Sequence, residues 1–240
     1  MGDTKLTFKR LEKKFLLSAA QYERLMAELE EHIEPDRFHK STVCSVYYDN
    51  DSFSLIRRSI DAPVYKEKLR VRSYGVPGED GQVFVELKKK FDGIVYKRRI
   101  AMSAAEAEGW LAGKRPAPED SQMVREIEWF MRENSPVPKV FIACDRTAWT
   151  ARDDGELRMT FDEDIRYRET ELELTAGSHG EPLTEPGQVL MEIKLPGAAP
   201  LWLAHMLCAL ELYPVGFSKY GAAYKKSILE KYFNGVIVCA

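Results

Sequence analysis

Metal and nucleophile signatures are scarce in this chain. Its four cysteines, Cys44, Cys144, Cys208 and Cys239, lack the paired spacing of a zinc site, and three of them sit in apolar stretches, so they read as core thiols. The four histidines, His32, His39, His179 and His205, fall in helical or loop contexts and carry no assigned role. There is no Walker-type glycine loop, no dinucleotide fingerprint and no Ser/His/Asp spacing, which leaves P-loop, Rossmann and triad chemistry without support. No signal peptide opens the chain, and its longest apolar runs, such as 201–212, fall short of a membrane span. The expectation is a soluble, cytoplasmic protein without internal repeats.

What is there is enough material for one core. At 240 residues, 45% hydrophobic and 30% charged, the chain reads as a single domain spanning 1–240. The net charge of -3 hides an asymmetry: residues 66–99 carry ten Lys/Arg against five Asp/Glu, and the rest is acidic. Cations gathered into one place argue against a protein coated in positive potential for duplex DNA or a membrane, so no nucleic-acid partner is expected.

Strand-like runs lie near 8–16, 42–49, 64–74, 82–91, 94–101, 138–149, 157–167 and 188–195. Helical patterns cover 18–33, with Ser18 as a candidate cap, then 103–111, 120–131, 201–212 and 218–232. Segment 169–187 reads as a long surface loop, and Asp92-Gly93 as a tight hairpin. Eight strands close into a barrel just wide enough for one ligand, so the expected fold is α+β, an eight-stranded antiparallel β-barrel with flanking helices.

Alternation then sorts the strand residues by face. Lys66, Lys68, Arg70 and Arg72 share one face, as do Lys88 with Lys90 and Lys97 with Arg99, while Leu69, Val71, Val83, Val85 and Leu87 point the other way. A solvated sheet edge is the simpler reading of any one run. If the apolar faces pack on helices, however, the cations look inward, and like charges about 6 Å apart repel by roughly 3 kcal/mol per pair at an effective dielectric near 20. Such an interior is tolerable around a polyanion. The same rule puts Arg10, Glu12 and Lys14 on one face of the first run, Arg158, Thr160 and Asp162 on one face of the seventh, and Glu192 with Lys194 on the eighth. Arg146, in an otherwise apolar strand, needs an acidic partner such as Asp162 or an anionic ligand. Glu86 and Glu192 add hard oxygen ligands of the kind that suit magnesium or manganese.

With these residues in view, the sequence resembles the VTC domain, the polyphosphate polymerase branch of the CYTH or triphosphate tunnel metalloenzyme superfamily. The resemblance is carried, in order, by Arg10-Leu-Glu-Lys-Lys-Phe15, Val46-Tyr-Tyr-Asp-Asn50, Lys68-Leu-Arg-Val-Arg72, Phe84-Val-Glu-Leu-Lys88, Lys97-Arg-Arg99, Asp145-Arg-Thr-Ala148, Arg158-Met-Thr-Phe-Asp162, Met191-Glu-Ile-Lys194 and Phe217-Ser-Lys-Tyr220. It implies a tunnel in which basic side chains hold ATP and a growing polyphosphate chain, with transfer of the terminal phosphoryl group. Catalytic roles fall by motif to Lys14, Arg70, Arg72, Lys88, Lys97, Arg146 and Lys219, and the metal-binding role, for Mn2+ or Mg2+, to Glu192. Arg10, Glu12, Glu86, Arg99, Arg158 and Lys194 follow by inward alternation as substrate-binding residues. Lys219, from the residues alone, reads as a solvated helix charge. A triphosphatase or tripolyphosphatase of the same class and a non-catalytic polyphosphate or nucleotide sensor are the alternatives.

Overall fold

The protein is described by a computed structural model covering residues 11–61, 64–92, 94–153, 155–195 and 197–229. Arg10 and Gly93 lie outside these residues. In chain order the elements are β1 (Leu11–Leu17), α1 (Ala19–Leu29), β2 (Ile33–Asp49), α2 (Ser54–Ile60), β3 (Tyr65–Tyr74), β4 (Gln82–Phe91), β5 (Ile94–Ser103), α3 (Ala104–Leu111), α4 (Gln122–Asn134), β6 (Val137–Ala151), β7 (Arg158–Arg168), β8 (Glu181–Pro182), β9 (Val189–Leu195), α5 (Leu201–Ala209) and α6 (Lys219–Ala223). A short 3-10 turn spans Leu174–Ala176, and a wide π-type turn, Tyr224–Leu229, follows α6.

The strands form one nine-stranded sheet in the order β1-β9-β7-β6-β2-β3-β4-β5, with β8 pairing β7 off this path. The path has two ends, so among the described residues the sheet is open, and the closed eight-stranded barrel expected from the sequence is corrected on this point. Closure depends on tilt and stagger as well as strand number, and counting runs supplies only the number. No helix among the described residues is long and apolar enough to cross a membrane.

Contacts divide the chain into two compact units, each discontinuous in sequence. The first takes described residues from Met1–Ser41, Asp145–Asp164 and Thr184–Phe217. Here β1 pairs β9 and β9 pairs β7, all antiparallel. Phe15, Leu17, Met159, Phe161, Met191 and Ile193 form the apolar face, buried against Leu25 and Leu29 of α1 and Leu203 and Met206 of α5. α1 starts where Ser18 accepts from Gln21 N while the Gln21 side chain accepts from Ser18 N, a capping box worth about 1 kcal/mol.

The second unit takes Thr42–Cys144, Ile165–Leu183 and the described part of Ser218–Ala240. Its meander β3-β4-β5 continues from β2. Leu69, Val71, Val83, Val85, Leu87 and Ile100 bury one face against Trp110 and Leu111 of α3 and Val124, Ile127 and Phe130 of α4. At roughly 1.5 to 3 kcal/mol per fully buried side chain, this row fixes which way every intervening cation points.

Two parts of this unit differ from expectation. α2 has no counterpart in the sequence reading. Segment 169–187, read as a loose surface loop, is pinned at its start: the buried Arg168 guanidinium donates to the carbonyls of Glu171, Glu173, Gly177 and His179, and lies 3.5 Å from the Phe141 ring centroid.

Candidate functional site

In the second unit the antiparallel register aligns the polar face in rows. Tyr47, Arg70, Glu86 and Arg99 stand opposite one another across β2, β3, β4 and β5. Lys68, Lys88 and Lys97 make the next row on one side, and Ser45, Arg72 and Phe84 the next on the other. Rows two residues apart on a strand are separated by about 6.7 Å, and neighbouring strands by about 4.8 Å. These rows therefore collect six cations, Lys68, Arg70, Arg72, Lys88, Lys97 and Arg99, around one carboxylate, Glu86.

Glu86 is almost fully buried and occupied on both oxygens. Its Oε2 accepts from Arg70 Nε at 2.8 Å and Nη2 at 2.7 Å, and its Oε1 from Arg99 Nε and Lys97 Nζ, both at 2.7 Å. Burial would raise its pKa, but Arg70, Arg72 and Lys97 outweigh burial and hold the carboxyl far below the usual carboxylate range. Three further arginine contacts in these rows are with hydroxyl groups. Arg72 Nε donates to Ser45 Oγ at 3.1 Å, Arg70 Nη1 to Tyr47 Oη at 3.1 Å, and Arg99 Nη2 to Tyr74 Oη at 3.1 Å. Arg99 also stacks on Phe84, 3.9 Å from the ring centroid. Hydroxyl acceptors and aromatic faces fix guanidinium forks without neutralising them, and the three rows set six cations against one carboxylate.

Segment 218–220 belongs to this unit as well. Lys68 Nζ donates to Ser218 Oγ at 3.0 Å, and that oxygen also accepts from Gly221 N, which caps α6 and leaves Lys219 half-buried in its first turn. Tyr220 Oη donates to Asp49 Oδ2 at 2.9 Å.

The first unit holds a second polar group. Register sets Lys14 and Thr160 on either side of Glu192, and Glu12 and Arg158 on either side of Lys194. Glu192 lies 3.0 Å from Lys194 Nζ and 4.0 Å from Lys14 Nζ, while Lys14 is also 3.4 Å from Glu12 and donates to the Phe217 carbonyl at 3.2 Å. Burial opposes ionisation of Glu192, but Lys194, Lys14 and Arg146 bring its pKa down to about 2. Arg146 forms a bidentate pair with the fully buried Asp162, at 2.5 and 2.7 Å. Arg158 is exposed at the start of β7.

The model of the VTC domain matches residues 9–228. The chain belongs to the VTC domain family. No curated protein matches it. Among solved structures, the PH1819 protein from Pyrococcus horikoshii OT3 is 11% identical over 90% of this chain and 99% of that one, at a TM-score of 0.48. A "putative adenylate cyclase" from Vibrio parahaemolyticus is 10% identical over 89% of this chain and 97% of that one, at 0.47.

In this VTC domain the second unit thus brings together Arg70, Arg72, Lys88, Lys97, Arg99 and Glu86, with Lys219 on α6, and the first unit Lys14, Glu12, Glu192, Lys194 and Arg146. Two of these residues already have close ionic partners. Glu86 pairs with Arg70, Lys97 and Arg99, and Arg146 with Asp162. Sequence reasoning missed Ser45, Tyr47, Tyr74 and Ser218. Ser45 and Tyr47 carried a signal, since they alternate with Cys44, Val46 and Tyr48, but a tyrosine amid apolar residues reads as core.

For a divalent cation, the donor set of the VTC domain is thin. The described residues contain no group of three His, Cys, Asp or Glu suited to a metal. Beside Glu192, however, Thr160 Oγ1 is buried without a hydrogen-bond partner among the described residues. One carboxylate and one hydroxyl fit Mn2+ or Mg2+ arriving with phosphate oxygens, as hard cations commonly do in phosphoryl transfer, and not an all-protein cage.

Proposed function

We propose that this VTC domain is an ATP-polyphosphate phosphotransferase: it moves the terminal phosphoryl group of ATP onto a growing polyphosphate chain and releases ADP. The observation supporting this reading is the second unit's face, six cations around a single, fully engaged carboxylate. In the transfer, the bond from the bridging oxygen to the terminal phosphorus breaks, its electron pair leaves with ADP, and a terminal oxygen of the acceptor forms the new bond. Such a reaction asks little covalent chemistry of the protein and much positioning and charge stabilisation. Arg70 and Arg72 grip equatorial phosphate oxygens as forks, and Lys88 and Lys97 add point charges on the neighbouring strands. Lys219 of the same unit is assigned a further phosphate contact; in the first unit, taken by itself, Lys14 and Arg146 are assigned phosphate contacts and Glu192 the divalent cation, which when bound would neutralise phosphate charge.

Incubation with ATP and manganese, followed by electrophoresis of the products, tests the reading. Accumulation of a long anionic polymer with ADP is expected. Free phosphate without polymer would make the protein a hydrolase, and binding without turnover a sensor. Arg72→Ala should weaken ATP binding by about 1.5 to 3 kcal/mol while changing the stability of the ligand-free protein by no more than about 1 kcal/mol, because repulsion from the neighbouring cations offsets its attraction to Glu86.

A further inference from the structure

Tyr47 sits in the same row as Arg70, Glu86 and Arg99, yet it is a neutral group among ions. It is buried, 7% exposed, and its ring is stacked on Tyr220 at a centroid distance of 5.0 Å and an interplanar angle of 23°. The Arg70 guanidinium lies 5.8 Å from the ring centroid, and its Nη1 donates to the phenolic oxygen at 3.1 Å. The oxygen is therefore used as an acceptor, and its own hydrogen must point elsewhere. Neighbouring acceptors are taken: the Tyr220 hydroxyl is committed to Asp49, and both oxygens of Glu86 to Arg70, Lys97 and Arg99. Among the described residues no acceptor is assigned to the Tyr47 hydrogen.

We propose that Tyr47 donates its phenolic hydrogen to a phosphate oxygen held by Arg70, and so is a phosphate-binding residue of this face. The proposal rests on the polyphosphate reading above. It gives the site a donor that works only while the phenol is protonated. Around the hydroxyl stand Arg70, Arg72 and Lys68 of β3, Glu86 of β4 beyond Arg70, and Tyr220 with Asp49 on the stacked side. Burial would raise the phenol's pKa, but Arg70, Arg72 and Lys68 bring it down to about 8. Above that pH a phenolate would confront the phosphate, so affinity falls as pH rises through this range; a bound phosphate, favouring the neutral phenol, raises the pKa in return.

The test uses metal-free inorganic tripolyphosphate at constant ionic strength, with binding by calorimetry from pH 7 to 9.5 and a parallel titration of the near-ultraviolet tyrosinate absorbance. Wild type should lose affinity through a limb near pH 8, although the ligand itself only gains negative charge there. Tyr47→Phe, which keeps the stacked ring, should bind about 10- to 100-fold more weakly at pH 7 and lack that limb. It should retain any later limb from Lys97, whose pKa burial lowers although Glu86 opposes the shift. A tyrosine titrating near pH 8, absent in the variant and moved upward by tripolyphosphate, completes the expected result; Tyr74, whose pKa Arg99 and Arg72 also lower against the effect of burial, remains in the variant's titration. Wild-type affinity in the variant, or an unchanged limb near pH 8, overturns the role of Tyr47 alone. Failure of wild type to bind tripolyphosphate at pH 7 overturns the polyphosphate reading and this proposal with it.

Discussion

Glu86 holds Arg70, Lys97 and Arg99 together, and that makes it a stability residue with a definite pH signature. Glu86→Gln should destabilise the protein at pH 7 by about 3 kcal/mol in denaturant unfolding, because three cations lose the buried charge that joins them. The folded-state pKa of Glu86 is depressed, so its contribution is complete above the unfolded carboxylate value and fades as pH falls below it. The gap between wild type and variant should therefore narrow as pH falls below about 4.5. A gap that stays constant with pH would mean that the amide disturbs packing and not charge. At this scale the sequence was informative about facing and uninformative about pairing. Period-two alternation put Arg70, Glu86 and Arg99 on one face, but that they share one row depends on register, which comes from two hairpins and their buried Leu69, Val85, Leu87 and Ile100. Arg146 with Asp162 is the converse case, a pairing read as one of two possibilities and found in bidentate form.

Among the elements, the end of β2 governs α2 and α6 together. The buried Asp49 carboxylate accepts from Asn50 N and Leu55 N on one oxygen and from Ile56 N and the Tyr220 hydroxyl on the other. Two of these bonds fix the start of α2, one fixes the turn that leads into it, and the fourth fixes α6, whose cap is Ser218 and whose first residue is Lys219. Tyr220→Phe leaves Asp49 with its backbone donors and should cost about 1 kcal/mol of stability, with faster amide exchange confined to 218–223 and weaker tripolyphosphate binding. Exchange that quickens across β3 to β5 as well would show that the hydroxyl supports the sheet and not the helix. The same carboxylate explains why α2 was illegible. The helix is 7 residues long, begins after Phe53 in a left-handed conformation, and is capped by a side chain several residues upstream, so no local cap marks it. β3, β4 and β5 were legible because alternation over ten residues each is a strong local signal. The first half of β2 has no such alternation, and the 169–187 segment owes its order to Arg168 and Phe141, which lie far apart in sequence.

For the whole molecule, a net charge of -3 with six cations on one face of the second unit predicts ligand stabilisation that depends on salt. Tripolyphosphate at a hundredfold excess over Kd should add about 2.7 kcal/mol and raise Tm, and the gain should shrink as ionic strength rises. An unchanged Tm at millimolar ligand would remove the anion site. Each compact unit is assembled from separated stretches, and this has a consequence for synthesis on the ribosome. The β3-β4-β5 meander has its partners next to it in sequence and can pair as soon as it emerges. β1 cannot. Leu17 pairs with Val189 and Leu11 with Leu195, so the first strand leaves the exit channel more than 170 residues before its partner. At roughly 5 to 20 residues per second this is a wait on the order of 10 to 30 s, during which Phe15 and Leu17 have no strand to pair with and are open to a chaperone. The nascent chain thus completes its cationic meander first and its carboxylate-bearing strand, β9, among the last.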